Sequence, residues 1–207
     1  MSKDNPVNTF KVPKGSPFER IMEVASDLFF NQGYRATGIN EVISKSGVAK
    51  ATFYSNFKTK DELCKRYLQG LRENELNYVE ECVCEAKGPL ERFLAPLRSL
   101  GPWLLETEFR GCPFVNIASE VPDFDSPLRK EGVKAYDGVA ARVQQLCEEL
   151  LASDPKRYAG LDAKQLAREY MLIFAGAVAL AEIYNSVTPV EQAEQILRAM
   201  IGNKSTN

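Results

Sequence analysis

Residues 39–57 read Ile39-Asn40-Glu41-Val42-Ile43-Ser44-Lys45-Ser46-Gly47-Val48-Ala49-Lys50-Ala51-Thr52-Phe53-Tyr54-Ser55-Asn56-Phe57. Ile39, Val42 and Ile43 fall on one face of a short helix, Ser46-Gly47 breaks it, and Val48 begins a second helix that carries Ala51, Thr52, Phe53 and Tyr54 up to Phe57. Val42 and Ile43 then pack against Val48 and Phe53, and Gly47 supplies the left-handed backbone that a tight turn needs. This is the spacing of a helix-turn-helix. Its second helix, about 48–56, lies across the first and is free to enter a major groove with its N-terminal residues at the base edges.

Helices extend outward on both sides. Ser16-Pro17-Phe18-Glu19 carries the cap, the first-turn proline and the capping-box acid of a helix start. Ile21, Val24, Ala25, Leu28 and Phe29 then form one apolar stripe that ends at Gly33. Thr37 is placed to cap the helix of Ile39. Thr59-Lys60-Asp61-Glu62 opens a long helix through Leu63, Tyr67, Leu71 and Leu76 to about Ala86. Beyond Gly88-Pro89 the pattern predicts helices near 90–107, 112–120, 127–153, 163–185 and 190–201, separated by glycine and proline signals. Asp162 with Gln165, and Thr188 with Pro189 and Glu191, repeat the cap pattern. No strand-like alternation is long enough to support a sheet, so the fold class is all-α: an N-terminal helix-turn-helix head of three helices and a larger C-terminal helical body. Residues 1–15 read as a mobile polar arm.

The chain has 207 residues, 44% of them hydrophobic and 26% charged, enough apolar material for a water-soluble core. No uncharged apolar run approaches a membrane span and the first residues are polar without a cleavage site, so a cytoplasmic protein is expected. Zero histidines exclude Ser-His-Asp and Cys-His nucleophile systems and histidine metal sites. The five cysteines (Cys64, Cys82, Cys84, Cys112, Cys147) have neither zinc spacing nor a C-x-x-C and read as reduced thiols. Cys112 stands at a helix start, where a sensor thiol could be activated, against the commoner inert cysteine. No metal or cofactor is called for, and no base-nucleophile arrangement can be drawn, which argues against an enzyme.

The net charge of −2 conceals an asymmetry. Residues 1–66 hold 11 Lys/Arg against 7 Asp/Glu, while the rest hold 15 against 21. Between Gly33 and Lys60, Arg35, Lys45, Lys50, Lys58 and Lys60 face a single acid, Glu41, and Thr37, Thr52, Tyr54 and Ser55 add hydroxyls. Cations and hydroxyls around both ends of one short helix suit a phosphate backbone.

The run from Phe29 through Gly33-Tyr34 and Thr37 to Ser46-Gly47-Val48-Ala49-Lys50-Ala51-Thr52-Phe53-Tyr54-Ser55-Asn56-Phe57-Lys58-Thr59-Lys60-Asp61-Glu62-Leu63 resembles the DNA-binding domain of the TetR family of bacterial repressors. The resemblance implies that Thr37 touches phosphate, that Lys50 and Thr52 reach base edges or adjacent phosphates, and that Tyr54 and Lys60 donate to the backbone; Ala49 and Asn56 complete the DNA-binding set. Three positions depart from the family pattern. Ile43 stands where a small residue is usual, Ala49 where serine is frequent and Asn56 where histidine is frequent, so the operator sequence does not transfer. The implied division is a DNA-binding domain at 16–63 and a ligand-binding and dimerisation domain at 64–207.

Ala175-Gly176-Ala177-Val178-Ala179-Leu180-Ala181 is apolar all round, as a core strut or half of a subunit interface would be. The resemblance favours the interface, because the family's last two long helices pair in a four-helix bundle. A twofold dimer then sets two recognition helices about one DNA turn apart, roughly 34–36 Å, on an approximately palindromic operator. Trp103, Cys112, Phe114, Asn116, Glu120, Tyr136, Phe174 and Tyr184 are candidate effector contacts, aromatic groups with sparse polar anchors of the kind that line small-molecule sites. Residues 111–120 resemble a segment found in a subset of TetR-type regulators. The expectation is a homodimeric repressor of palindromic double-stranded DNA, released by a small organic effector and independent of membranes. The alternative is a ligand-binding or interaction module on the same fold without sequence-specific DNA binding.

Overall fold

The computed structural model describes residues 15–202, and ten helices make up its regular structure: α1 (Pro17–Asn31), α2 (Ile39–Ser46), α3 (Lys50–Asn56), α4 (Lys60–Glu85), α5 (Pro89–Arg98), α6 (Leu100–Glu106), α7 (Pro113–Glu120), α8 (Pro127–Ser153), α9 (Ala163–Tyr184) and α10 (Thr188–Gly202). No strand occurs among the described residues. All but the last residue of the expected N-terminal arm lies outside them.

The chain packs as two compact units. One comprises the residues up to Glu75 together with Cys112–Ala135; the other comprises Leu76–Gly111 and the residues from Tyr136 onward. By packing, α7 and the start of α8 therefore belong with the DNA-binding head.

In the first unit, the Glu19 amide donates to Ser16 Oγ at 3.1 Å, which starts α1 as its cap residues require. α1 turns Ile21, Met22, Ala25, Leu28 and Phe29 inward, and it packs on α2 and α3. Phe53 and Phe57 are buried, and Phe18 stacks on Phe57 with ring centroids 5.4 Å apart. A fully buried phenylalanine stabilises by about 1.5–3 kcal/mol, so this aromatic group seats α3. At α4 the capping box forms: the Glu62 amide donates to Thr59 Oγ1 at 3.0 Å, and Glu62 Oε2 accepts the Lys58 amide at 2.9 Å. Glu131, on α8, is buried and accepts from Arg72 at 2.9 Å and Lys134 at 3.0 Å. Paired in this way, a buried carboxylate is tolerable.

In the second unit, Val79 and Val83 of α4 form a cluster with Ala95 and Leu146. Pro96 lies inside α5, and the Leu97 amide next to it donates to Tyr170 Oη of α9 at 2.8 Å. Tyr170 is fully buried, edge-on to Phe93 at 5.3 Å, and burial pushes its phenol above the usual range. α5 is tied to α10 by Arg98, which donates twice to Glu194 at 2.7 Å and once to Glu91. The Arg98 hydrogen bonds hold the Glu194 carboxyl down at about 2.

Several boundaries differ from the sequence expectation; α10, for one, begins at Thr188 rather than 190. The helix expected at 90–107 is two helices, because Pro102 cannot donate a backbone hydrogen bond and its ring crowds the preceding turn; the break falls at Ser99, whose Oγ donates to the Pro96 carbonyl at 2.8 Å. Thr37 does not cap α2; Gly38 occupies the cap with no side-chain bond. α3 begins at Lys50, two residues later than Val48, because Ala49 is still extended at ψ 147°.

Candidate nucleic-acid interface

Gly47 closes α2 with φ 64° and ψ 23°, a left-handed conformation that glycine adopts at little cost. That turn brings Val48 back into the core and sends α3 off with Phe53 inward. The opposite face of α3 then carries Lys50, Ala51, Tyr54 and Ser55 in solvent, with Thr52 and Asn56 half-buried at its edges. Lys50 makes no hydrogen bond or ion pair among the described residues, nor do the side chains of Arg35 and Lys58. The Tyr54 ring rests edge-on against Phe53 at 5.3 Å, which holds its exposed hydroxyl outward. Lys50 at the start of the exposed helix α3, with the braced phenol of Tyr54 one turn on and Lys58 just past its end, forms a surface able to meet phosphates and base edges.

Other residues expected at this face are engaged within the protein. Thr37 is buried, and its hydroxyl donates to the Gly33 carbonyl at 2.8 Å. Lys60 Nζ donates to the carbonyls of Tyr34 at 3.0 Å and Thr37 at 3.2 Å, lying 4.3 Å from the centre of the Tyr34 ring. In this conformation both polar tips are hydrogen-bonded to the turn before α2. Asn56 donates to the Thr52 carbonyl at 2.7 Å, a site shared with Ser55 Oγ at 2.8 Å. Lys45 pairs with Glu41 at 2.9 Å. Ala49 offers no capping hydroxyl, as its side chain dictates.

Within the first unit the structure also places a contact that sequence reasoning missed. Glu120, read as an effector residue, accepts the amides of Tyr34 at 3.1 Å and Arg35 at 2.6 Å. Tyr34 in turn donates its phenol to Asp61, and burial with that neighbouring carboxylate raises its pKa above the usual range. Only Gly33 hinted at such a contact, and it reads equally well as a helix terminator.

The other effector candidates do not form one cluster within either unit. In the first, Cys112 stands at the N-cap of α7, Phe114 packs against the backbone of Gly132, and Asn116 and Glu120 border a cavity of about 10 Å³ with Phe29, Phe30, Tyr67, Pro113 and Ile117. That is at the lower limit for a single water and far below the size of a ligand site. In the second, Trp103 and Tyr136 are half-buried, Phe174 is buried, and Tyr184 is 67% exposed. Tyr184 is therefore a surface residue. A groove of about 460 Å³ in this unit, lined by Leu161, Asp162, Gln165, Leu166, Glu169, Ile196, Ala199 and Met200, includes none of the candidates. None of the five cysteines is in a disulfide; burial pushes the Cys147 thiol up to about 12 and the Cys64 thiol higher, which disfavours the reactive thiolate at both. No cluster of three metal-ligating side chains occurs among the described residues.

A cationic helix-turn-helix head on an all-helical body defines a DNA-binding transcriptional regulator. The model for "Bacterial regulatory proteins, tetR family" matches residues 21–67, and that for "Tetracyclin repressor-like, C-terminal domain" matches residues 89–197. The chain belongs to the TetR family. Among its relatives, the HTH-type transcriptional regulator YxaF of Bacillus subtilis is 28% identical over 189 residues, 88% of this chain and 94% of that one. The HTH-type transcriptional repressor NemR of Escherichia coli is 24% identical, over 84% of this chain and 88% of its own. A TetR-family regulator from Streptomyces coelicolor shares the fold with a TM-score of 0.81 at 20% identity, covering 92% of this chain and 96% of that chain. No helix among the described residues is long and apolar enough to cross a membrane.

Proposed function

We propose that the protein is a homodimeric repressor that binds a palindromic DNA operator and is released from it by a small organic effector. The observation that carries this reading is the outward face of α3, where the Lys50 ammonium and the Tyr54 hydroxyl stand without a hydrogen-bond partner among the described residues while Phe53 anchors the helix from behind. Dimerisation is supported by α9. Ala177, Val178 and Ala181 are buried, but Leu172 (76% exposed), Leu180, Ile183 (72% exposed) and Tyr184 form an apolar stripe on another face. An uncovered stripe of this size on a long helix favours a self-complementary partner surface. Repression is drawn from NemR, named as a repressor. Effector release requires only that the ligand bind the two states of the dimer with different affinity.

Selection from a random duplex library with the purified full chain, followed by anisotropy titration of the selected and a random duplex, tests the reading. The expected result is a palindrome bound at least about a thousandfold more tightly than random DNA, with two protomers per site. Equal, weak, salt-sensitive binding to both duplexes would refute it and favour a ligand-binding module on the same fold.

A further inference from the structure

Glu120 closes α7 and lies 86 residues along the chain from Tyr34, the first of the two amides it accepts. The contact is a two-point clamp: one carboxylate oxygen takes the Tyr34 amide at 3.1 Å and the other takes the Arg35 amide at 2.6 Å. Both bonds are charge-assisted, stronger than ordinary amide–carbonyl bonds and directional at two points. Residue 33 has to be glycine for the clamp to close. Its φ is +91°, and a Cβ there would lie 2.6 Å from Glu120 Oε1.

The clamped segment is the entry to the DNA-reading helices. Thr37 donates back to the Gly33 carbonyl, and Lys60 donates to the carbonyls of Tyr34 and Thr37, so the turn, the start of α2 and the start of α4 form one hydrogen-bonded assembly. α2 holds α3 through the Gly47 turn. The clamp is itself held in place: Ile117 of α7 is buried, and Arg129 Nη1 donates to the carbonyls of Ala118 at 2.7 Å and Val121 at 3.1 Å, on either side of Glu120.

We propose that Glu120 is a positioning residue for DNA recognition: without touching DNA, its carboxylate sets the turn that fixes the angle at which α2 and α3 are presented. The proposal rests on the reading of α3 as the DNA-contacting helix. Its sign separates it from a bystander role. An acid near a polyanion weakens binding by repulsion, so removing a bystander charge tightens binding or leaves it unchanged; removing a positioning charge weakens it.

The experiment compares the full-length protein with Glu120→Gln, which keeps the shape but loses an acceptor and the charge, and Glu120→Asp, which keeps the charge but withdraws it by one methylene. Each is titrated against the selected duplex and a random duplex of equal length, and amide hydrogen exchange is read over residues 31–38. Both variants are expected to lose at least tenfold affinity for the selected duplex, with less than twofold change on random DNA, and to exchange the Tyr34 and Arg35 amides faster. Unchanged or tighter operator binding by either variant overturns the proposal, as does unchanged exchange. A wild-type protein that fails to discriminate the duplexes overturns the DNA reading and the proposal with it; the exchange data identify that case, because faster exchange in the variants would show the clamp intact in the wild type.

Discussion

The Glu182 carboxylate occupies the space in which a side chain at Gly111 would begin: a Cβ built on Gly111, whose φ is +81°, falls 2.1 Å from Glu182 Oε2. Gly33 and Glu120 repeat the arrangement in the other compact unit. In both places a helix-borne glutamate presses on a left-handed glycine, and the absent methyl makes the approach possible.

Gly111→Ala therefore meets two penalties, a strained backbone and a displaced carboxylate. A residue held at unfavourable positive φ costs about 1–3 kcal/mol. Urea denaturation should show a midpoint lowered accordingly, and Glu182→Ala combined with Gly111→Ala should recover only the steric part. An unchanged midpoint in the single variant would mean that the turn simply relaxes.

Lys50→Ala and Lys60→Met are expected to fail differently. Lys50 is exposed and unpaired, so its removal should cost about 1–3 kcal/mol of specific binding if it reads a base edge, with stability unchanged. Lys60 ties two carbonyls, so its loss should lower the unfolding midpoint, leaving those groups unsatisfied at about 1–3 kcal/mol. Paired anisotropy and denaturation measurements check this. A Lys60→Met protein of wild-type stability but weakened binding would return Lys60 to the DNA face.

Glu194 supplies an acid-sensitive tie between α5 and α10. Its folded-state pKa, about 2, lies below the ordinary 4.5, so the stabilisation is present above pH 4.5 and disappears as pH falls from there towards 2. Glu194→Gln should melt below wild type at pH 7, and the gap should close across that window. A gap independent of pH would assign the loss to packing.

Glu75 behaves with opposite sign. Burial raises its carboxyl to about 7 from 4.5, and no cation pairs with it among the described residues. The protonated form is favoured in the fold, so stability declines as pH rises from 4.5 to 7 and stays lower above it. Glu75→Gln should raise the melting temperature at pH 8 and leave it unchanged at pH 4. A variant less stable than wild type at pH 8 would show that the charged form is held by a favourable contact.

Local signals carried much of this fold. The limits of α8 are legible because Ser126-Pro127 and Asp154-Pro155 bracket it, and Gly47 marks the turn because its conformation has a local cause. Thr37 shows where local reading stops. Its hydroxyl could cap α2, touch phosphate or turn inward to Gly33; in the fold it turns inward, while its backbone carbonyl accepts from Lys60 of α4. Glu120 reads as a polar anchor, but nothing in its own segment says which distant amides it will meet. Composition does not say which face each helix turns inward, and Tyr184, an effector candidate on composition, lies exposed.

The inward-turned ammonium of Lys60 also bears on how many ions leave the DNA when the protein arrives. With Lys60 bound to carbonyls and Lys45 neutralised by Glu41, the free cations of the 33–60 segment are Arg35, Lys50 and Lys58. If each displaces one condensed counterion and two heads bind together, the logarithm of affinity should fall with the logarithm of salt at a slope of about −5. Recruiting both remaining lysines in each head would steepen it to about −9. The salt dependence of this regulator is thus governed by lysines that fold inward as much as by those that reach out.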